Sequence, residues 1–336
     1  MNHTTNQYST AGLITLSVRL VIGWTYFSAF WRRLILENKL IPEEAGYIGE
    51  KFNHFLPNAL GIKPLIEHLV SNPDQLQTAM IAFTIIEAIV GLFIMLGLFT
   101  RLMSVGVFSL AMGILLGSGW LGTTCLDEWQ IGVLGIASGF VLFLSGGGSV
   151  SLDHYLSQKS YAFTHKKWFS WLGSGALPIT NLKKVSVVGA IFLLGMTLFT
   201  NQYFHGGVFG KLHNKSVKPK VEISNASIQQ NELEFQVFRV EGADVYGSFL
   251  IGIEVLNNNM EVVQKWSMED LANLQPEQIH NHYVSKVKPG KYSLILPLGA
   301  KADLTLPLND FIVPTEIKTL KLIDISGAEW QINLSQ

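Results

Sequence analysis

One cysteine stands in 336 residues. A single thiol cannot close an intramolecular disulfide, supply the ligand set of an iron–sulfur cluster or form the CxxCH of a c-type haem. No GxGxxG falls between a strand pattern and a helix pattern, so no dinucleotide fingerprint is present. The chain is therefore expected to carry no bound metal, haem or flavin. Charge is scarce too: Asp, Glu, Lys and Arg make up 15% of the residues, against about 25% in soluble domains. Net charge is −1, which argues neither for nor against nucleic acid; no basic cluster suited to phosphates appears, and no nucleic-acid partner is expected. Residues 1–12 contain no Lys or Arg. The first apolar run also exceeds the roughly 7–15 residues of a signal-peptide core, so no cleaved leader is expected.

What the chain does have is apolar length, unevenly spread. A membrane span needs roughly 20 apolar residues. Five runs qualify: Leu13–Leu36, Ala79–Phe99, Met103–Leu121, Trp129–Ser145 and Val185–Tyr203. Glycines at helical spacing on the third run (Gly106, Gly113, Gly117) and the fourth (Gly132, Gly135, Gly139) predict close helix packing. The connection over residues 37–75 is broken by Pro42, Pro57, Pro64 and Pro73. Its amphipathic pattern predicts short helices lying at the membrane surface. A similar interfacial helix is expected over Asp153–Leu172 on the inner side.

From Val221 the hydrophobic period changes to two. Alternating segments at 221–224, 233–240, 249–256, 261–266, 282–287, 291–296, 317–324 and 329–334, separated by turn signals, predict an immunoglobulin-like β-sandwich. A helical turn is expected at Met268–Leu274. His280 and His282 lack the further ligands that a metal site needs. The expected organisation is a four-helix membrane domain (1–157), an inner helix and linker (158–184), a fifth spanning helix (185–204) and an outer-side all-β domain (205–336).

Orientation follows from Lys and Arg in the connections. Arg101 and the lysines at 159, 166, 167, 183 and 184 place the second and fourth connections inside. The connection holding Cys125 has no Lys or Arg, and so falls outside with the C-terminal domain. This implies a multi-pass protein with its N-terminus inside and the β domain on the outer side. Arg32, Arg33, Lys39, Lys51 and Lys63 violate the rule, and clustered cations on the wrong side suggest an anion site.

Three constellations carry candidate chemistry. Arg19, Gly23, Tyr26, Phe30 and Arg33 share one helix face, and Glu87 lies inside the second run. Intramembrane ionisable residues are functional candidates by default, and the pattern leaves open a structural Arg19–Glu87 pair or a quinone and proton site. Cys125 sits beside Trp120, Thr123, Thr124, Asp127 and Glu128, where nearby cations would lower a thiol pKa from about 8.5 and carboxylates would raise it. After the fifth run, His205, Lys211, His213 and Asn214 lie in a glycine-rich segment crowded with cations.

Residues 12–157 resemble the large, DoxD-type membrane subunit of thiosulfate:quinone oxidoreductase, through Ser17–Trp24, Phe30-Trp-Arg-Arg33 and the long motif Gly117–Trp129. Residues 185–336 resemble its DoxA-type subunit through Gly206–Pro219. The resemblance implies oxidation of thiosulfate to tetrathionate with electrons passed to a membrane quinone. Joining two dianions opposes roughly 4 kcal/mol of repulsion at about 4 Å in water, so cations and stepwise handling are expected. Cys125 would hold a thiosulfate adduct. Arg32, Arg33, Lys211, Trp120, His205 and Asn214 would bind substrate, and His213 with Asp127 would move or orient protons. Arg19, Tyr26, Phe30 and Glu87 would form the quinone site. Thiosulfate, quinone and the bilayer are the expected partners, with a homodimer left open. The alternatives are a thiosulfate or sulfite carrier, or a membrane anchor passing electrons for a separate dehydrogenase.

Overall fold

The computed structural model describes residues 10–42, 44–122, 127–244, 248–309 and 317–334. In chain order the helices are α1 (Leu16–Phe30), α2 (Ile48–Phe55), α3 (Lys63–Val70), α4 (Pro73–Leu96), α5 (Thr100–Ser118), α6 (Asp127–Ser145), α7 (Leu152–Gln158), α8 (Lys167–Leu172), α9 (Leu182–His205) and α10 (Met268–Ala272). The chain divides into two compact units. One comprises Met1–Ala45, Thr78–Gly119 and Leu126–His213; the other comprises Gly46–Gln77, Trp120–Cys125 and Asn214–Gln336.

The first unit is helical. Among the described helices, α4, α5, α6 and α9 are long and apolar enough to cross a membrane. The first expected span is α1, continued without a break by a π-helical turn over Trp31–Leu36. Glycines let these helices close on one another. A Cβ on Gly135 would lie 2.7 Å from the Ala111 Cβ, and one on Gly139 would lie 3.0 Å from the Ser104 carbonyl. The stripe on α6 is thus a packing face against α5, where contact replaces the missing hydrophobic drive. Gly113 is different: a Cβ there would meet nothing.

One end of this bundle is tied by buried polar groups. The Asp153 carboxylate accepts from Phe99 N (2.8 Å), Thr100 N (3.0 Å), Thr100 Oγ1 (2.7 Å) and Ser174 Oγ (2.7 Å). Arg101 donates to the carbonyls of Phe143, Ser170 and Gly175. The single interfacial helix expected over Asp153–Leu172 is therefore two short helices, α7 and α8, because the Asp153 and Phe169 side chains are drawn into the bundle end.

The second unit is built on ten strands: β1 (Lys220–Gln229), β2 (Glu232–Glu241), β3 (Ser248–Asn257), β4 (Val262–Ser267), β5 (Ile279–Asn281), β6 (Lys288–Pro289), β7 (Leu294–Leu296), β8 (Lys301–Pro307), β9 (Ile317–Asp324) and β10 (Glu329–Asn333). They form two antiparallel sheets, ordered β1-β2-β8-β5 and β10-β9-β3-β7-β6, with β4 also pairing β3. Their facing side chains form one core that includes Val237, Ile253, Leu294, Leu304 and Leu322. Strand β8 (Lys301–Pro307) pairs β2 and β5 in the first sheet, with Ala302, Leu304 and Leu306 turned inward. It was not among the expected strands, although its residues alternate. The strand expected over 282–287 is instead the short β5 (Ile279–Asn281). The expected helical turn is α10, opened by a Ser267–Asp270 capping box.

Helices α2 and α3 belong to this second unit, a correction to the expectation of surface-lying helices. Their polar atoms are used by the sandwich: Asn53 Nδ2 donates to Gly299 O (2.7 Å), Val284 N to Val70 O (3.2 Å) and Tyr283 Oη to Glu67 Oε1 (2.7 Å). Burial pushes the Tyr283 phenol well above its usual range, and the Glu67 carboxylate adds to the rise. The amphipathic period was real, but the apolar surface it served was protein.

Candidate functional site

Cys125, Thr123 and Thr124 lie outside the described residues; the segments that lead to and from them do not. In the second unit, the residues just before the thiol are held by the segment that opens the C-terminal domain. Ser216 Oγ donates to Trp120 O (3.1 Å) and accepts from Gly122 N (3.0 Å), while Asn214 Nδ2 donates to Gly122 O (2.7 Å). Asn214 Oδ1 in turn accepts from Ser216 N at 2.8 Å. The two long motifs of the sequence, far apart in the chain, therefore meet through backbone and hydroxyl contacts.

Trp120 does not fit the substrate-binding role expected of it. It is 1% exposed, and its indole N–H donates to Phe55 O at 3.2 Å, so its ring is spent on packing. Ser216, also 1% exposed, was not singled out from the sequence, although it stands inside the second motif. Its signal was a lone hydroxyl among lysines, which reads as solvated until the loop it bonds is known. Lys215 beside it donates to Asn58 Oδ1 at 2.8 Å.

In the first unit, α9 ends at His205 and Gly206 caps it with φ 64°. A Cβ at Gly206 would lie 2.6 Å from the Lys211 carbonyl and 3.2 Å from His213 Nδ1. That left-handed turn folds the chain back so that His213 N donates to His205 O at 3.0 Å. Lys211 and His213 are exposed. His205 is 1% exposed, its Nε2 is 2.9 Å from Gly119 O, and its Nδ1 has no partner among the described residues. Burial takes His205 out of reach of a dissolved anion, correcting the substrate-binding role expected of it. Asp127 is exposed in the first turn of α6, where a carboxylate favours the helix dipole.

The cations near the start of the chain separate. Arg33 pairs with Glu87, Nη1 to Oε2 2.5 Å, and also donates to Thr84 Oγ1 at 3.1 Å. The two side chains are 15% and 5% exposed. Arg32 is exposed, with its Nε donating to Ser28 O of its own helix. Arg19 donates to Gly147 O and Val150 O, both at 2.5 Å. The Arg19–Glu87 pair that the pattern left open is thus replaced by Arg33–Glu87, for a geometric reason. Gly23 lies against Met95, Phe27 against Gly91, and Arg33 against Glu87 and Thr84. Numbers rise along α1 as they fall along α4, so this antiparallel register sets Arg19 beside Gly97. Tyr26 is buried in the bundle core, its hydroxyl donating to Val107 O at 3.4 Å, and Phe30 stacks in a tilted contact with Phe27. The four residues expected to bind quinone together are therefore distributed along α1 and α4: Arg19 at one end, Tyr26 in the core, Glu87 committed to Arg33.

Residues 14–180 match the family described as TQO small subunit DoxD, and residues 204–333 match TQO small subunit DoxA. Both descriptions read small subunit, so "large" does not apply to the first half. One polypeptide here joins a DoxD-family and a DoxA-family subunit of thiosulfate:quinone oxidoreductase.

Proposed function

We propose that this chain is a membrane enzyme that oxidises thiosulfate to tetrathionate and passes the electrons to a membrane quinone, with the β domain on the periplasmic side of the inner membrane. The observation that carries this reading is the presence of both families in one chain, with their two long motifs hydrogen-bonded immediately before Cys125.

In the first step the Cys125 thiolate forms a bond to the outer sulfur of one thiosulfate. Two electrons leave to the quinone, which takes two protons from the medium and becomes quinol. A second thiosulfate then attacks the same sulfur, as in thiol–disulfide exchange. The S–S bond to cysteine breaks, tetrathionate leaves and the thiolate is restored. Net, two thiosulfates, one quinone and two protons give tetrathionate and quinol. Lys211, Arg32 and His213 are exposed. Arg33 is committed to Glu87 and is not used on the anion. Asn214 is a positioning residue, since its amide holds the Gly122 carbonyl.

Purified full-length chain, thiosulfate and a water-soluble quinone analogue test this directly. The expected result is quinone reduction with no other protein, and a thiosulfate mass increment on Cys125 by intact-mass measurement. Flux of thiosulfate into sealed vesicles without quinone reduction would instead show a carrier. Activity only after adding a separate dehydrogenase would show an anchor. A Cys125→Ser chain turning over at the wild-type rate would sink the covalent route alone.

A further inference from the structure

The face of α1 and α4 is closed by its own contacts, whereas α6 and α9 leave a gap. An apolar groove of about 560 Å³ runs between them, walled by Val133, Ala137 and Phe140 on one side and Ala190, Leu194 and Thr197 on the other. That size falls in the range of roughly 300–1,000 Å³ typical of small-molecule sites. Both walls are helices suited to crossing a membrane, and none of the apolar window of α9 is buried. The helix is buried at its C-terminal end, at Thr200, Phe204 and His205, and Gly189 sits against Phe140 of α6. What enters such a gap comes sideways from the bilayer and is hydrocarbon along most of its length.

Just beyond the groove, the same two helices turn polar. Trp129 Nε1 donates to Thr200 Oγ1 at 3.0 Å, one turn past Val133 and Thr197 respectively. His205 follows on the face of Leu194, eleven residues and close to three full turns later. A carbonyl oxygen only accepts, so the 2.9 Å contact to Gly119 O puts a proton on His205 Nε2. Nδ1 is left buried and unpartnered among the described residues. Trp129 follows Cys125 by four positions, so this is the end of α6 nearest the thiol along the chain.

We infer that the α6–α9 groove is the quinone site, with the isoprenoid tail along the groove and the ring at the Trp129–Thr200–His205 end. The inference rests on the quinone-reducing reading above and names its acceptor site. His205 Nδ1, when protonated, donates to a quinone oxygen and gives up that proton as electrons arrive. It is reprotonated from the side of exposed His213, whose backbone N–H already holds the His205 carbonyl. The cycle runs once for each of the two protons that quinol formation requires.

The test uses the full-length chain in proteoliposomes. An azido-ubiquinone is photolysed and the labelled peptides are mapped, alongside thiosulfate-driven reduction of a long-tailed ubiquinone. Label is expected on the α6 and α9 peptides. Ala190→Phe, which fills the groove, should raise the quinone KM about tenfold and leave the thiosulfate KM unchanged; Ala137→Leu is the milder variant should the first fail to fold. His205→Gln, which keeps a donor for Gly119 O, should lower kcat and flatten its pH profile with the quinone KM unchanged within about twofold. Label on the α1 and α4 peptides around Tyr26 and Glu87, label on neither pair, or an unmoved quinone KM in folded groove variants overturns the inference. Wild-type chain that reduces no quinone overturns the enzymatic reading instead, and the position of the label still reports on the groove.

Discussion

Arg33 and Arg101 both flank apolar helices and are both largely withdrawn from water, yet they are answered differently. Arg101 spends its guanidinium on three backbone carbonyls, at Phe143, Ser170 and Gly175. Arg19 does the same at Gly147 and Val150, and Arg239 in the sandwich at Leu296 and Ala243. Arg33 instead forms an ion pair with a buried carboxylate, that of Glu87. A guanidinium on carbonyls fixes where loops end, because backbone acceptors cannot be exchanged or titrated. A guanidinium on a carboxylate is a pair of side chains, and both members can be replaced together. The two kinds of site are not told apart by sequence, and differ in what a substitution does.

The largest loss is expected at the carbonyl-bound sites. Arg101→Met orphans three carbonyls at about 1–3 kcal/mol each, and no second side-chain substitution restores them. Glu87→Leu should cost about 3–5 kcal/mol by stranding the Arg33 charge. Adding Arg33→Met should recover most of that, since an apolar pair of similar volume often does as well as a buried ion pair. Denaturant unfolding in detergent, run as a double-mutant cycle, reads both. If the Glu87→Leu, Arg33→Met chain is as unstable as Glu87→Leu alone, the pair is not what distinguishes Arg33. If any partner substitution rescues Arg101→Met, its carbonyl contacts are not the cause of its loss.

This contrast also explains which parts of the molecule were legible before the structure. Apolar length identified four of the helices that are long and apolar enough to cross a membrane, and the period of two identified most strands, because alternation reports a buried sheet face directly. Glu87 could be picked out as an intramembrane carboxylate, but its partner could not. Choosing between Arg19 and Arg33 requires the antiparallel register of α1 against α4, which helical spacing within α1 does not contain. Helices α2 and α3 were visible as amphipathic, but a period reports only that one face is covered, not whether lipid or protein covers it. Ser216 and Trp120 are the sharpest case at the candidate site. Both stand in motifs that drew attention for their chemistry, and both turn out to position the chain that leads to Cys125.

His54 extends the comparison to a base that has neither kind of partner. Its Nδ1 is buried without a hydrogen bond among the described residues. Burial lowers its pKa to about 4, with Asp244 opposing that shift and Lys51 and Arg239 adding to it. The folded chain therefore holds His54 neutral, while the unfolded chain takes up a proton near pH 6.5. Between those values the unfolded state binds more protons, so stability is complete above about pH 6.5 and falls as pH drops towards 4. The lowered carboxylates of Glu254 and Asp303 act in the same direction, but only below about pH 4.5, where unfolded carboxylates take up protons. The two windows are separable. His54→Gln should flatten the melting temperature of the full-length chain between pH 6.5 and about 4.5 and leave the steeper loss below that range. This is the smallest of the three effects. A His54→Gln chain whose melting temperature still falls across the upper window would show that another group carries it, and that burial alone does not set His54 apart from the paired arginines.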